Sequence, residues 1–196
     1  MNQDNKGGVG LAETVKNAVV GTVRGAGEVV NAVTETVSST LVHAIKGTGA
    51  VGAALTGSVS DVVRGGIQGA SAIGGDVGQA TRGAMIGVLR GTKDVSTEAM
   101  TTVSDGACTA VKSASDVGAN LAAVAKSAVE GAIEGARELG LDAAEAASAA
   151  ATGALRGAGD ISTTAVEQVR NAVTGVISGV KVVVTEPFRS PTTPRV

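Results

Sequence analysis

The chain has almost no aromatic residues: tryptophan and tyrosine are absent, and Phe188 is the one phenylalanine in 196 residues. A globular core of this length ordinarily draws on several large rings, so a conventional packed enzyme core is not expected. Histidine and cysteine occur once each, as His43 and Cys108. That excludes most metal sites, hydrolytic triads and disulfide frameworks. The three prolines, Pro187, Pro191 and Pro194, all lie near the C-terminal end, so no proline interrupts a helix before them. Charge of one sign is lacking too. Sixteen Lys and Arg against 18 Asp and Glu leave a formal charge of -2, which gives no electrostatic footprint for nucleic acid. No uncharged apolar run reaches the roughly 18 residues of a membrane span. The polar start from Met1 to Lys6 lacks the layout of a signal peptide, and a lone cysteine fits a reducing compartment. The expectation is a cytoplasmic, non-enzymatic protein, peripheral to a lipid surface and without metal or cofactor. Export without a cleaved signal stays open.

What the chain does have is glycine (29 residues), alanine and valine in strict order. The segment Gly21-Thr-Val-Arg24-Gly25 returns as Gly87-Val-Leu-Arg90-Gly91 and again as Gly153-Ala-Leu-Arg156-Gly157, each time 66 residues on. Sixty-six is six elevens, and eleven residues make three helical turns at about 3.67 residues per turn. Written in rows of eleven from Leu11 to Val184, five columns carry no charge at all. They place Val15, Val19, Val23, Val33, Val37, Leu41, Ile45, Leu55, Val59, Ile67, Leu89, Val103, Val111, Leu121, Ile133, Leu155, Val169, Val173 and Ile177 in one apolar arc, roughly 130° wide. Beside one edge runs a column whose charges are all basic: Lys16, Arg82, Lys93, Lys126, Arg137, Arg170 and Lys181. The next column is all acidic, and the column of Glu13, Arg24, Glu35 and Lys46 is mixed.

This pattern predicts an all-α protein built on long amphipathic helix; the period-two pattern of a strand is absent. Unbroken, it would span roughly 260 Å. Soft hinges are expected at Gly74-Gly75-Asp76 and Gly140-Leu141-Asp142, where glycine suits a helix end and aspartate a helix start. The expected organisation is a flexible 1–10, a repeat region 11–184 in three units (11–75, 76–141, 142–184), and a proline-containing tail 185–196. The tail's PxxP offers a groove-docking segment for a protein partner.

Two adjacent columns at the other edge of the arc are rich in glycine and form GxxxG pairs: Gly21/Gly25, Gly65/Gly69, Gly87/Gly91, Gly131/Gly135, Gly153/Gly157 and Gly175/Gly179. The same slots hold His43/Gly47 and Thr109/Ser113. Glycine inside a helix costs about 1 kcal/mol relative to alanine. At fixed phase, its usual return is close approach of a neighbouring helix, so helices are expected to tile side by side. Gly47-Thr-Gly49-Ala-Val-Gly52 matches GxGxxG, but it lies inside the helical register without the preceding strand a nucleotide site needs.

The eleven-residue rows, their grouping into 22s and the apolar arc resemble exchangeable apolipoproteins, synucleins, perilipins and helical late embryogenesis abundant proteins. The sequence departs from them in lacking the synuclein Lys-Thr-Lys-Glu-Gly-Val core and the apolipoprotein aromatics. The resemblance implies reversible binding to a lipid surface. The leading expectation is therefore a scaffold whose helices coat or shape lipid and self-associate through GxxxG pairs. The alternative is a lipid-free, self-assembling helical bundle, coiled coil or filament; a desiccation protectant is third.

Overall fold

The computed structural model describes residues 6–22, 28–48, 53–93 and 99–184, and every structural statement below concerns these. The chain is all-α, but it is not one long helix. Eight short helices are present: α1 (Lys6–Thr22), α2 (Val29–Thr48), α3 (Ala53–Ala72), α4 (Val77–Thr92), α5 (Ala99–Asp116), α6 (Leu121–Leu139), α7 (Ala143–Gly159) and α8 (Thr163–Val173). From α4 to α7 each helix starts 22 residues after the last, so one unit is two elevens: a helix and its turn. A lone amphipathic helix this rich in Gly, Val, Thr and Ser has weak intrinsic propensity. Folding back lets each apolar arc cover another.

The two expected hinges are full reversals. Gly74 and Gly140 take positive φ (67° and 70°). The amides that follow them reach back to the helix end, Gly75 N to Ala70 O and Leu141 N to Ala136 O, both 2.8 Å. This is the Schellman arrangement that satisfies terminal carbonyls. The next residue starts the following helix: Asp76 accepts from Gln79 N at 3.0 Å, and Asp142 from Ala144 N and Glu145 N at 2.7 and 3.0 Å. A third turn of the same design, Gly118-Ala119-Asn120, was not anticipated; Gly118 has φ 69° and Asn120 caps Ala123 N. The turn before α8 uses Ser162 as its cap.

The helices form two rows, α1-α3-α5-α7 and α2-α4-α6-α8, because each packs most extensively on the helix two places away. Partners within a row run parallel, with residue numbers rising together along both helices. The apolar arcs point inward between the rows. One cluster gathers around Leu41, Val59, Ile67 and Val88; another gathers around Leu89, Ile133, Leu155 and the alanines of α7. Threonines in this interior bond to carbonyls. Thr81 and Thr92 donate to Val77 O and Val88 O at 2.8 Å, and no buried side-chain polar atom among the described residues lacks a partner.

The repeat helix expected to run to residue 184 instead ends at α8. A hairpin follows, β1 (Gly175–Ile177) and β2 (Val180–Val182), with Val176 opposite Lys181. Gly175 and Gly179 take φ of 109° and 79°. The glycine pair in this slot is thus used for its backbone freedom, not for helix packing. β2 lies along α7, where Val183 N donates to Ser148 Oγ at 3.3 Å. At the other end α1 already begins at Lys6, inside the stretch expected to be flexible.

Candidate functional site

The glycine columns define the closest approaches in the molecule. At Gly65, Gly69, Gly87, Gly91, Gly131, Gly135, Gly153 and Gly157 the space a Cβ would occupy is filled by the helix two places earlier. In the α3–α1 interface, a Cβ at Gly65 would strike the Ala12 carbonyl and one at Gly69 would lie 2.9 Å from Val19. Between α4 and α2, a Cβ at Gly87 would lie 2.7 Å from the Thr34 carbonyl oxygen and one at Gly91 2.9 Å from Leu41. Between α6 and α4, a Cβ at Gly131 would lie 2.5 Å from the Arg82 carbonyl oxygen and one at Gly135 2.8 Å from Leu89. Between α7 and α5, a Cβ at Gly153 would strike the Ser104 carbonyl, and one at Gly157 would lie 2.5 Å from that of Cys108. Each glycine presents a hydrogen where any other residue would present carbon, so two backbones touch. Gly83 extends the stripe by one turn. A Cβ there would meet the Val30 carbonyl at 2.5 Å, and its own carbonyl accepts from Thr34 Oγ1 at 3.0 Å. Where the slot holds Thr109/Ser113, the α5–α3 contact is a hydrogen bond, Thr109 Oγ1 to Ser60 Oγ at 3.1 Å.

The stripe is unfilled where no earlier helix exists. A Cβ at Gly21 meets nothing within 4 Å, and His43 is exposed on α2. Gly25 and Val23 lie outside the described residues, as do the surroundings of Gly47 and the tail 185–196.

The apolar arc is enclosed. Of the residues expected to face lipid or a core, all those described are buried except Leu121, which is partly so. The large apolar side chains left exposed are Val20, Leu141, Ile161, Val176 and Val183. The basic column does not flank a free apolar face; it lies on the shoulder that receives the glycines. Arg82 pairs with Glu134 at 2.7 Å, and Lys126 stands 3.9 Å from Glu130. Arg137 donates to Ser178 O of the hairpin at 2.8 Å. The backbone of Lys16 carries Gly69, while Lys93, Arg170 and Lys181 are exposed.

Charge pairing follows the rows rather than single helices. Arg82–Glu134 and Arg90–Glu138 (2.7 Å) join α4 to α6. Arg156–Asp105 joins α7 to α5, and Lys112–Asp160 (3.0 Å) joins α5 to the end of α7. Arg64, Cys108, Lys112 and Arg156 line a shallow groove of about 240 Å³ across α3, α5 and α7. Burial works to lower the pKa of Arg156, but the neighbouring Cys108 and the hydrogen-bonded Asp105 outweigh that and raise it. Lys112 is raised by its hydrogen bond to Asp160. Asp61, beside Arg64, is pushed up by burial. No group of three or more metal-binding side chains occurs among the described residues, and no described helix is long and apolar enough to cross a membrane.

Fold and contacts together define a class: a two-row stack of 22-residue helical units spaced by glycine-to-backbone contacts. The sequence matches no protein-family model, and no curated protein matches it.

Proposed function

We propose that the protein is a non-enzymatic structural protein whose amphipathic helices coat a lipid surface and associate laterally through their glycine columns, with the closed stack as its lipid-free form. One observation carries this reading. The five apolar columns keep their phase straight through the turns, where Ile73 and Val77, Val117 and Leu121, and Leu139 and Ala143 all fall in them. Equal 22-residue units keep that phase in the stack, and the same phase would join the apolar faces of neighbouring helices into one. A single apolar face running past the turns is what a surface requires. The arc is mostly Ala and Val, so affinity rests on length rather than on a few anchors. The test is flotation of the purified chain with phosphatidylcholine vesicles, with circular dichroism of the bound fraction. Co-flotation with helicity at least that of the free chain supports the reading. A chain left wholly in the dense fraction at millimolar lipid refutes it.

A second reading, lipid-free self-assembly, is favoured by a different observation. The arcs already face each other within one chain, and the glycine stripe of α1 is uncovered at Gly21. Sedimentation velocity decides it. Species larger than the 18.9 kDa chain that grow with concentration support it, and a monomer up to about 1 mM refutes it.

A further inference from the structure

The turns of this stack are built from residues that suit two conformations unequally. Gly74, Gly118 and Gly140 hold φ of 67°, 69° and 70°, a region glycine enters without steric cost. Asp76, Asn120 and Asp142 follow two residues later as caps. Their side chains bind the amides of the next helix, not the preceding one. A Cβ at each turn glycine would meet nothing within 4 Å, so the space beside each turn is open. If such a turn became right-handed helix, the two helices it joins would fuse in phase with one unbroken apolar face.

We infer that the glycine turns at 74, 118 and 140 are hinges, and that on a zwitterionic phospholipid surface α5, α6 and α7 open and fuse into one helix lying on the lipid. This rests on the lipid-surface reading above and adds where the chain opens and what form it takes. The faces that separate are chiefly alanine and valine, and α7 gives up almost nothing larger than Leu155. Hydrocarbon replaces them, while the polar columns remain in water. A zwitterionic surface fits because the chain carries near-balanced charge, 16 Lys and Arg against 18 Asp and Glu.

The experiment uses the full chain with Cys108→Ser and spin labels at Lys126→Cys and Gly159→Cys. These positions lie at the same end of the antiparallel α6–α7 pair. In buffer the labels should lie within helix-packing range, about 10–20 Å. On phosphatidylcholine vesicles a fused helix places them about 50 Å apart at 1.5 Å per residue. A bound chain whose labels stay close overturns the hinge while leaving lipid binding intact; a chain that does not bind overturns both. The variant Gly74→Ala, Gly118→Ala, Gly140→Ala is disfavoured in the left-handed turn and favoured in helix. Only the Gly140 turn lies between the labels, so the balance should shift toward the long distance roughly tenfold. Gly57→Ala, at an open position near the start of α3, changes a residue that is helical in both forms and should shift nothing. A triple variant that opens no more readily than Gly57→Ala also overturns the inference.

Discussion

The same substitution should act in opposite directions at two glycines of this chain. Gly57 and Gly153 are both helical, and alanine at either gains about 1 kcal/mol of helix propensity. At Gly57 a Cβ meets nothing within 4 Å, so Gly57→Ala keeps that gain. At Gly153 the Cβ would strike the Ser104 carbonyl, with Ser104 C at 2.7 Å and Cα at 2.8 Å. All three are backbone atoms of a packed helix and cannot rotate away. α7 has to lift from α5, which loosens the neighbouring Gly157 contact and strains the Arg156–Asp105 pair. Overpacking costs about 1–3 kcal/mol; with three backbone atoms struck the upper end applies, so the net loss for Gly153→Ala is about 2 kcal/mol. With a urea m-value of about 2 kcal/mol/M, the midpoint falls by about 1 M. Gly57→Ala should raise it by about 0.3–0.5 M. Urea unfolding followed by circular dichroism at 222 nm reads both. Equal shifts in the same direction would falsify the view that these glycines serve backbone contact, and would leave them as tolerant fillers.

Other expectations concern caps and charges. Removing the Asp142 cap with Asp142→Ala should cost about 1 kcal/mol in the same urea assay, since two amides lose their acceptor. Asp105→Asn should destabilise measurably, because the Asp105 side chain is only 16% exposed. Lys112→Gln, at a pair about half exposed, should change stability by less than about 0.5 kcal/mol. Burial raises the Asp61 pKa, so the folded chain holds that proton to higher pH than the unfolded chain does. Its contribution is therefore present below the ordinary carboxylate range and is lost as pH rises through the raised folded value. Asp61→Asn should then raise the urea midpoint at pH 7 and give no gain at pH 3. A gain that is equal at both pH values counts against burial as the cause.

The all-α class, the inward face and two of the turns were legible because each rests on local spacing. The apolar columns identified Val15, Leu41 and Ile133 as residues needing cover, and the structure buries all three. Eleven-residue periodicity tells which face of a helix is apolar, not what covers that face. The unshifted register therefore read as continuous helix, although Gly118-Ala119-Asn120 carries the same end-and-start chemistry as the two turns that were seen. Partner choice was hidden for a related reason. Lys126–Glu130 is the one i,i+4 pair among the described ion pairs; the others join residues 48 to 52 apart, which no local spacing reveals. The glycine slot at 175/179 could not be told from the slots at 131/135 and 153/157 by position alone.

The sequence repeats over three helices, whereas the fold repeats over two. An odd unit laid on an even one sends each successive copy to the opposite row. Gly87 and Arg90 of one copy sit in the row of α2, α4 and α6; Gly153 and Arg156 of the next sit in the row of α3, α5 and α7. Arg90 reaches forward to Glu138, while Arg156 reaches back to Asp105. One string of amino acids thus has to function on either side of the molecule, and neither side is free to specialise. A gene that lengthened by copying this unit would invert the rows at every step. It could tolerate that inversion only because a glycine resting on a carbonyl is indifferent to which row it belongs to.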